Sequence, residues 1–156
     1  MTTHLESSTN SEPTTAHEPI VVGVDGSDCS RRALQWAADQ ATLTGRELVA
    51  VTSWQVPNTY GYPVPWPANV SFEDDARQSL EESIEKALGA NPSPTPTLVV
   101  VEGHPAPTLV EQSKQAALIV VGSRGHGEFA GMLLGSVGEY LTTHAHCPVV
   151  IVRGHR

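Results

Sequence analysis

The 156-residue sequence has little positive charge, few cysteines and few aromatic residues. Nine Lys and Arg residues stand against seventeen Asp and Glu residues, which gives a formal net charge of −8. This balance argues against non-specific binding to nucleic acid or to an anionic membrane, because both require clustered basic side chains. It leaves open a local anion site built from backbone N–H groups, which carry no formal charge.

Long apolar runs are also missing from the sequence. No run approaches the roughly 18 residues that a transmembrane helix requires. Residues 1–18 also lack the basic and apolar stretches of a signal peptide. We therefore expect no membrane association and a cytoplasmic location. The two cysteines, Cys29 and Cys147, are expected to be reduced, partly buried thiols.

The composition divides the chain into a domain and two tails. Residues 1–18 are rich in Ser, Thr, Glu and Pro and show no periodicity, so they bury too little apolar surface to offset chain entropy. They are predicted to be a disordered tail. Residues 19–153 are long enough for one domain with its own core, and residues 154–156 form a short C-terminal tail.

Apolar runs and amphipathic segments alternate along the domain. Apolar runs without polar alternation are typical of strands that are covered on both faces, and capping residues, glycine and proline mark the helices between them. The predicted strands are 20–24, 47–54, 97–101, 118–121 and 149–152, and the predicted helices are 31–41, 71–88, 105–115 and 135–144. This alternation predicts an α/β fold with a parallel sheet and right-handed crossovers.

A parallel sheet binds ligands beyond the carboxyl ends of its strands, where the strand order reverses. The segments expected there are Asp25-Gly26-Ser27, Thr52-Ser53-Trp54 and the loop that starts at Gly122. Residues 55–70 contain four prolines and are predicted to be a loop. Its aromatic residues, together with Trp54 from the preceding strand, would form either a lid over the site or a cluster on the sheet edge. These residues are Trp54, Tyr60, Tyr62 and Trp66.

The segment 122–136 reads Gly-Ser-Arg-Gly-His-Gly-Glu-Phe-Ala-Gly-Met-Leu-Leu-Gly-Ser. Glycine lets a backbone approach an anion closely, and successive N–H groups in such a loop form an anion cradle. The helix that opens at Gly135 adds unpaired N–H groups and a favourable dipole. A phosphate chain between Gly125 and that helix fits this pattern. Ser136 would donate a hydroxyl group, and Arg124 would either neutralise charge or remain solvated.

Other ligand motifs fit the sequence poorly. There is no Gly-x-x-x-x-Gly-Lys-Ser/Thr, so this is not a P-loop. The segment 125–130 matches the loose dinucleotide fingerprint, but it follows the fourth strand and no acidic residue lies about 20 positions later. His144-Ala-His146-Cys147 lacks further ligands at metal spacing, so no metal site is expected there.

With these residues established, the chain resembles the universal stress protein family. The pattern Gly122-x2-Gly125-x9-Gly135-Ser136 is the ATP-binding signature of that family. Further segments similar to family positions are Val-Gly-Val-Asp-Gly-Ser at 22–27, Val-Thr-Ser-Trp at 51–54, Gly-His-Pro-Ala at 103–106 and Cys-Pro-Val-Val at 147–150. The resemblance covers residues 19–153. It departs from the family at Ala117, where Asp is often found, and at Thr52, where His is frequent.

The resemblance implies a fold, a ligand and a site. The fold would be of the adenine nucleotide alpha hydrolase-like type, a single open parallel five-stranded sheet with helices on both faces and the strand order 3-2-1-4-5. The ligand would be ATP, with Mg²⁺ bound through the phosphates. The implied binding residues are Gly23, Val24, Asp25, Ser53, Val121, Gly122, Arg124, Gly125, Gly135, Ser136 and Val137. Family members commonly form homodimers through the last strand, here residues 149–152.

Three functions are compatible with these features. The chain would be a nucleotide-dependent regulator of the stress response that acts on an unknown protein partner, a slow ATPase, or a dimeric scaffold that needs no nucleotide. The regulator is favoured over an enzyme, because no lysine or general base is clearly placed to activate water, and no catalytic residue is assigned. Substitution of Gly122 or Gly135 is expected to remove ATP binding and leave the fold intact, because the loop is predicted to be exposed.

Overall fold

The computed structural model describes residues 17–58, 61, 65–126 and 133–154. Their strands and helices are β1 Ile20–Gly23, α1 Asp28–Thr44, β2 Leu48–Trp54, α2 Phe72–Leu88, β3 Thr97–Glu102, α3 Pro105–Ser113, β4 Leu118–Gly122, α4 Ser136–His144 and β5 Val149–Val152. Both predicted tails lie outside the described residues except for positions 17, 18 and 154. Tyr60 and Tyr62 of the aromatic loop also lie outside them, as does segment 127–132 of the glycine-rich loop.

The five strands pair in parallel, in the order β3-β2-β1-β4-β5. The chain first adds β2 and β3 on one side of β1 and then returns to add β4 and β5 on the other side. The strand order therefore reverses between β1 and β4, which makes this the place where an open α/β sheet binds its ligand. The predicted fold class and strand order are confirmed.

Helices cover both faces of the sheet. α1 and α2 pack on one face, and α3 and α4 pack on the other. The central strands contribute to both layers, since successive side chains of a strand point to opposite faces. Val22 and Val120 are buried under α1, whereas Val21 and Ile119 are buried on the opposite face. This double burial explains why the strands lack alternating polar residues.

The first helix is longer than its sequence pattern indicates. It begins at Asp28, three residues before the predicted start, because Ser27 caps it: the Ser27 Oγ atom accepts a hydrogen bond from the Ser30 N–H group at 3.2 Å. It continues to Thr44 and ends at Gly45, which has a left-handed φ of 64°. None of the described helices has the length and apolar character that a bilayer crossing requires.

Candidate functional site

The carboxyl ends of β1, β2 and β4 border a cavity of about 690 Å³. This volume falls within the roughly 300–1,000 Å³ range that is usual for small-molecule sites. The cavity lies at the point where the strand order reverses. It brings together every binding residue that the sequence analysis named, namely Gly23, Val24, Asp25, Ser53, Val121, Gly122, Arg124, Gly125, Gly135, Ser136 and Val137.

β2 extends three residues beyond the end of β1. The last residue pair between these strands is Gly23 and Val51, and the end of β2 pairs only with β3 in the described part of the chain. The carbonyl groups of Glu47 and Val51 accept hydrogen bonds from the β1 side, at 2.8 and 2.9 Å. Alternate residues of a strand direct their backbone groups to the same side. The N–H and C=O groups of Ser53 therefore face the cavity.

Asp25 lies at the wall of the cavity and closes the turn before α1. Its Oδ1 atom accepts hydrogen bonds from the N–H and hydroxyl groups of Ser27, at 2.9 and 2.5 Å. Its Oδ2 atom faces the glycine-rich loop, because a Cβ atom built on Gly125 would lie only 2.5 Å from it. Glycine at position 125 thus allows the loop to pass directly against the carboxylate.

Ser123, at the start of the glycine-rich loop, is 4% exposed and is bonded to β5 and to the residue that ends the loop. Its N–H group donates to the Val152 carbonyl at 2.8 Å, and its carbonyl accepts from the Gly135 N–H group at 2.7 Å. The Gly135 N–H group is therefore already bonded and is not a free donor for an anion. The first-turn N–H groups of Ser136 and Val137 have no acceptor within their own helix, and both residues line the cavity.

Gly122 has a packing role that the sequence analysis missed. A Cβ atom on Gly122 would lie 2.7 Å from both the carbonyl carbon and the Cβ atom of Cys29, in the first turn of α1. Side-chain rotation cannot relieve a contact with backbone, so β4 or α1 would have to move. The premise that Gly122 lies in an exposed loop is wrong, because Gly122 is the half-buried last residue of the buried strand β4. We therefore expect a Gly122 variant to strain the fold.

Charged groups of both signs line the cavity. Arg124 supplies one positive charge, and Asp25 and Glu139 supply two negative charges. Glu139 was not predicted as a site residue, although it lies three positions after Ser136 and hence in the same first turn of α4. His126 was also missed, and its Nε2–H group donates to the carbonyl oxygen of Asp25 at 2.5 Å.

Helices α2 and α3 complete the walls of the cavity, with residues that do not belong to the ends of the strands. Their lining residues are Ala76 and Ser79 from α2 and Pro105, Thr108 and Leu109 from α3. Motif reasoning could not find them, because small and apolar residues on a helix are usually attributed to the core.

Of the four aromatic residues considered for this site, the described part of the chain includes Trp54 and Trp66. Trp54 lines the cavity. Trp66 instead packs edge-on against Phe72 at the start of α2, with ring centroids 5.0 Å apart. The alternatives for these residues were a lid over the site and a cluster on the sheet edge. Trp54 lies where it could contact a ligand, whereas Trp66 packs against the first residue of α2.

The segment from His144 to Cys147 lies away from the cavity lining. His144 stacks on Tyr140, with ring centroids 4.0 Å apart, and its Nδ1–H group donates to the Tyr140 carbonyl at 3.0 Å. Burial raises the pKa of the Cys147 thiol, and the negative charge of Glu18 raises it further. Within the described ranges, no group of three or more His, Cys, Asp or Glu residues is placed to hold a metal ion.

Comparison with known proteins identifies the family to which this chain belongs. The model of the universal stress protein family matches residues 17–153. The chain belongs to the universal stress protein family. This confirms the resemblance that was inferred from the glycine signature. The match also accounts for the parallel sheet and its strand order.

Universal stress proteins of two mycobacteria are similar in sequence to this chain. One from Mycobacterium tuberculosis is 41% identical over 151 residues, which cover 96% of this chain and 49% of that protein. One from Mycobacterium bovis is 36% identical over 143 residues, which cover 88% of this chain and 44% of that protein. The chain thus spans about half the length of the curated relatives it matches.

Solved universal stress proteins share the fold. One that was solved in complex with cAMP is 29% identical, with a TM-score of 0.65 over 88% of this chain and 98% of that chain. Another, from Archaeoglobus fulgidus in complex with dAMP, is 25% identical, with a TM-score of 0.55 over the same shares of the two chains.

Proposed function

We propose that this universal stress protein binds an adenine nucleotide, and specifically ATP, in the cavity between the carboxyl ends of β1 and β4. One observation carries the proposal: the cavity combines the free edge of β2, the Asp25–Gly125 contact and the first turn of α4. Two structural relatives that were solved with cAMP and dAMP support an adenine nucleotide as the class of ligand.

The adenine base would lie against the end of β2. Adenine presents an amino donor beside a ring-nitrogen acceptor, and the N–H and C=O groups of Ser53 offer the complementary pair toward the cavity. Val51 and Leu109 supply the buried apolar surface that a flat base requires. Because the contact is made by backbone, Thr52 in place of the frequent histidine does not prevent it.

The phosphates would lie between the glycine-rich loop and α4. The N–H groups of Ser136 and Val137, which have no acceptor within their own helix and lie at the positive end of its dipole, favour an anion there. Arg124 adds a positive charge, whereas Asp25 and Glu139 oppose it. Mg²⁺ would offset these acids, since it is bound in proteins by one or two carboxylates together with phosphate oxygens. The Oδ2 atom of Asp25, next to Gly125, suits such a shared ion.

The expected role of nucleotide binding is regulation, through a homodimer or a further protein partner. Ser123 supports this role because it bonds both to the Gly135 N–H group beside the cavity and to Val152 of the edge strand β5. A ligand that positions the loop would thereby bias the strand through which dimerisation is proposed. We expect hydrolysis to be very slow, because the described lining residues include no lysine, Asp25 is assigned to Mg²⁺, and Nε2 of His126 is already bonded to the Asp25 carbonyl.

Two measurements test this proposal. Freshly purified protein is denatured and the released nucleotide is identified by mass spectrometry, and nucleotide-free protein is titrated with ATP, ADP, AMP and cAMP by calorimetry. We expect an adenine nucleotide in the first and binding in the second. Protein that releases no nucleotide and binds none of the four would contradict the proposal.

A single-turnover assay with labelled ATP separates the regulator from the slow ATPase. We expect no appreciable turnover. Robust hydrolysis that is lost in Asp25→Ala and kept in Asp39→Ala, an exposed acid of α1 outside the cavity lining, would favour the ATPase.

A further inference from the structure

We propose that His126 is a positioning residue that fastens residues 123–126, the described start of the glycine-rich loop, beside the cavity. The inference rests on the proposed nucleotide site and adds a residue outside the glycine signature. His126 follows β4 and Asp25 follows β1, and the Nε2–H group of His126 donates to the carbonyl oxygen of Asp25 at 2.5 Å. The two residues are 101 positions apart in the chain.

The imidazole ring of His126 lies beside the turn at Gly26. Gly26 has a φ of 83°, which suits glycine, and a Cβ atom built there would lie 3.4 Å from Nε2 of His126 and 3.6 Å from Oγ of Ser79. The ring therefore lies over the turn between β1 and α1, on the side of α2. His126 thus lines the cavity of about 690 Å³ beside this turn.

Two attachments then define where the loop runs. Ser123 holds the first residue of the described stretch 123–126 through its bonds to Val152 and Gly135, and His126 holds its last residue through Asp25. Gly125 lies between them, directly against the Asp25 carboxylate. The contact of His126 therefore fixes the Gly125 backbone at the position from which it would meet the nucleotide.

The exposed loop gains from such a tether because ordering a free loop costs conformational entropy at the moment of binding. Without the tether, the loop would hold the binding position only part of the time, and the apparent affinity falls by that fraction. The net value of one hydrogen bond sets the size of this effect, so His126→Ala should raise the Kd for ATP about twofold to twelvefold. The loss should appear mainly in the association rate.

A conservative variant and a matched control accompany His126→Ala. The side-chain amide of His126→Gln can place a donor nitrogen close to the position of Nε2, so this variant should restore most of the affinity. His144→Ala removes another exposed histidine that donates to a backbone carbonyl, but His144 lies outside the cavity lining. It should bind ATP like the wild type.

Amide hydrogen exchange in nucleotide-free protein measures the tether directly. The amides of residues 123–126 should exchange faster in His126→Ala than in the wild type and should be slow again in His126→Gln. The amides of β1 and β4 should be unchanged in all three proteins, which separates loss of the tether from general destabilisation.

The outcomes distinguish this inference from the proposed function. Weaker ATP binding in His126→Ala, with rescue by glutamine, supports the tether. Equal ATP binding in wild type and His126→Ala overturns it. If the wild type binds no adenine nucleotide, the proposed function fails, and hydrogen exchange alone then tests the tether. Unchanged exchange in His126→Ala would overturn the tether, and faster exchange would support it.

Discussion

Replacement of Gly122 by serine is expected to destabilise the fold, whatever its effect on a ligand. The new Cβ atom would lie 2.7 Å from two atoms of Cys29 and 2.9 Å from a third, whereas carbon atoms in contact are normally about 3.5–4.0 Å apart. β4 or α1 must therefore move by about 1 Å. Overpacking of this kind costs about 1–3 kcal/mol, and at about 2–4 °C per kcal/mol for a chain of this size the melting temperature should fall by about 2–12 °C.

Gly135→Ser is the matched control because it introduces the same side chain at the other end of the loop. The nearest atom to its Cβ would be the Ser123 carbonyl oxygen at 3.4 Å, and φ at this position is −73°. Serine is also a preferred N-cap residue, so stability should change by less than about 0.5 kcal/mol. Its hydroxyl would accept a hydrogen bond from a first-turn N–H group of α4 and so compete with phosphate. Gly135→Ser should therefore bind ATP weakly while it keeps the wild-type melting temperature.

Thermal and urea unfolding followed by circular dichroism, together with ATP calorimetry, separate the two effects. The reasoning predicts a loss of stability at Gly122 and a loss of binding alone at Gly135. If Gly122→Ser unfolds at the wild-type temperature, the close packing of β4 on α1 is refuted. If Gly135→Ser is as unstable as Gly122→Ser, the distinction between the two glycines is refuted.

Three further changes test other parts of the site and the fold. Asp25→Asn should weaken binding of Mg²⁺-ATP more than binding of AMP in calorimetry, because a bridging ion needs the carboxylate; equal losses for both ligands would count against the shared ion. Glu139→Gln should lower the Kd about twofold to fivefold for ATP and less for AMP, since removal of an exposed charge is worth about 0.3–1 kcal/mol; no dependence on ligand charge would contradict its placement. Burial and, to a lesser extent, the charge of Glu18 raise the pKa of the Cys147 thiol in the folded protein. The neutral thiol therefore contributes fully to the stability of the fold below the pKa of an unfolded cysteine. This contribution is lost as the pH rises through the pKa of the folded protein. Cys147 should accordingly react with iodoacetamide more slowly at pH 8 than a cysteine in an unstructured peptide, and faster after Glu18→Gln; an unchanged rate in that variant would show that the Glu18 charge does not act on the thiol.

The fold could be predicted from the sequence because its signals are local. Each strand has an apolar run, and the central strands β1 and β4 are buried on both faces as that pattern requires, whereas the edge strands β3 and β5 are only partly buried. Boundaries were less accurate at α1, where the apolar period starts only at Ala33. Its first turn depends on the cap formed by Ser27, and a cap of this kind extends a helix beyond its apolar stripe.

Only those site residues could be predicted that lie at the ends of strands or belong to the glycine pattern. These features identified Asp25, Gly125 and the start of α4, because parallel strands bring their carboxyl ends to one edge. They did not identify His126, whose partner is 101 residues away and whose contact depends on the path of an irregular loop. Nor did they separate Gly122 from Gly135, since the crowding around a glycine depends on the packing of distant elements.

Mapping the backbone amides by nuclear magnetic resonance tests the central claim most directly. ATP is added to nucleotide-free, ¹⁵N-labelled protein, and the shift of each amide signal is followed. We predict that the largest changes occur at Ser53, Gly125, Ser136 and Val137, which border the cavity at the carboxyl ends of the strands. The absence of any change, or changes confined to the shallow depression beside Glu18 and Lys114, would contradict an adenine nucleotide site in the cavity.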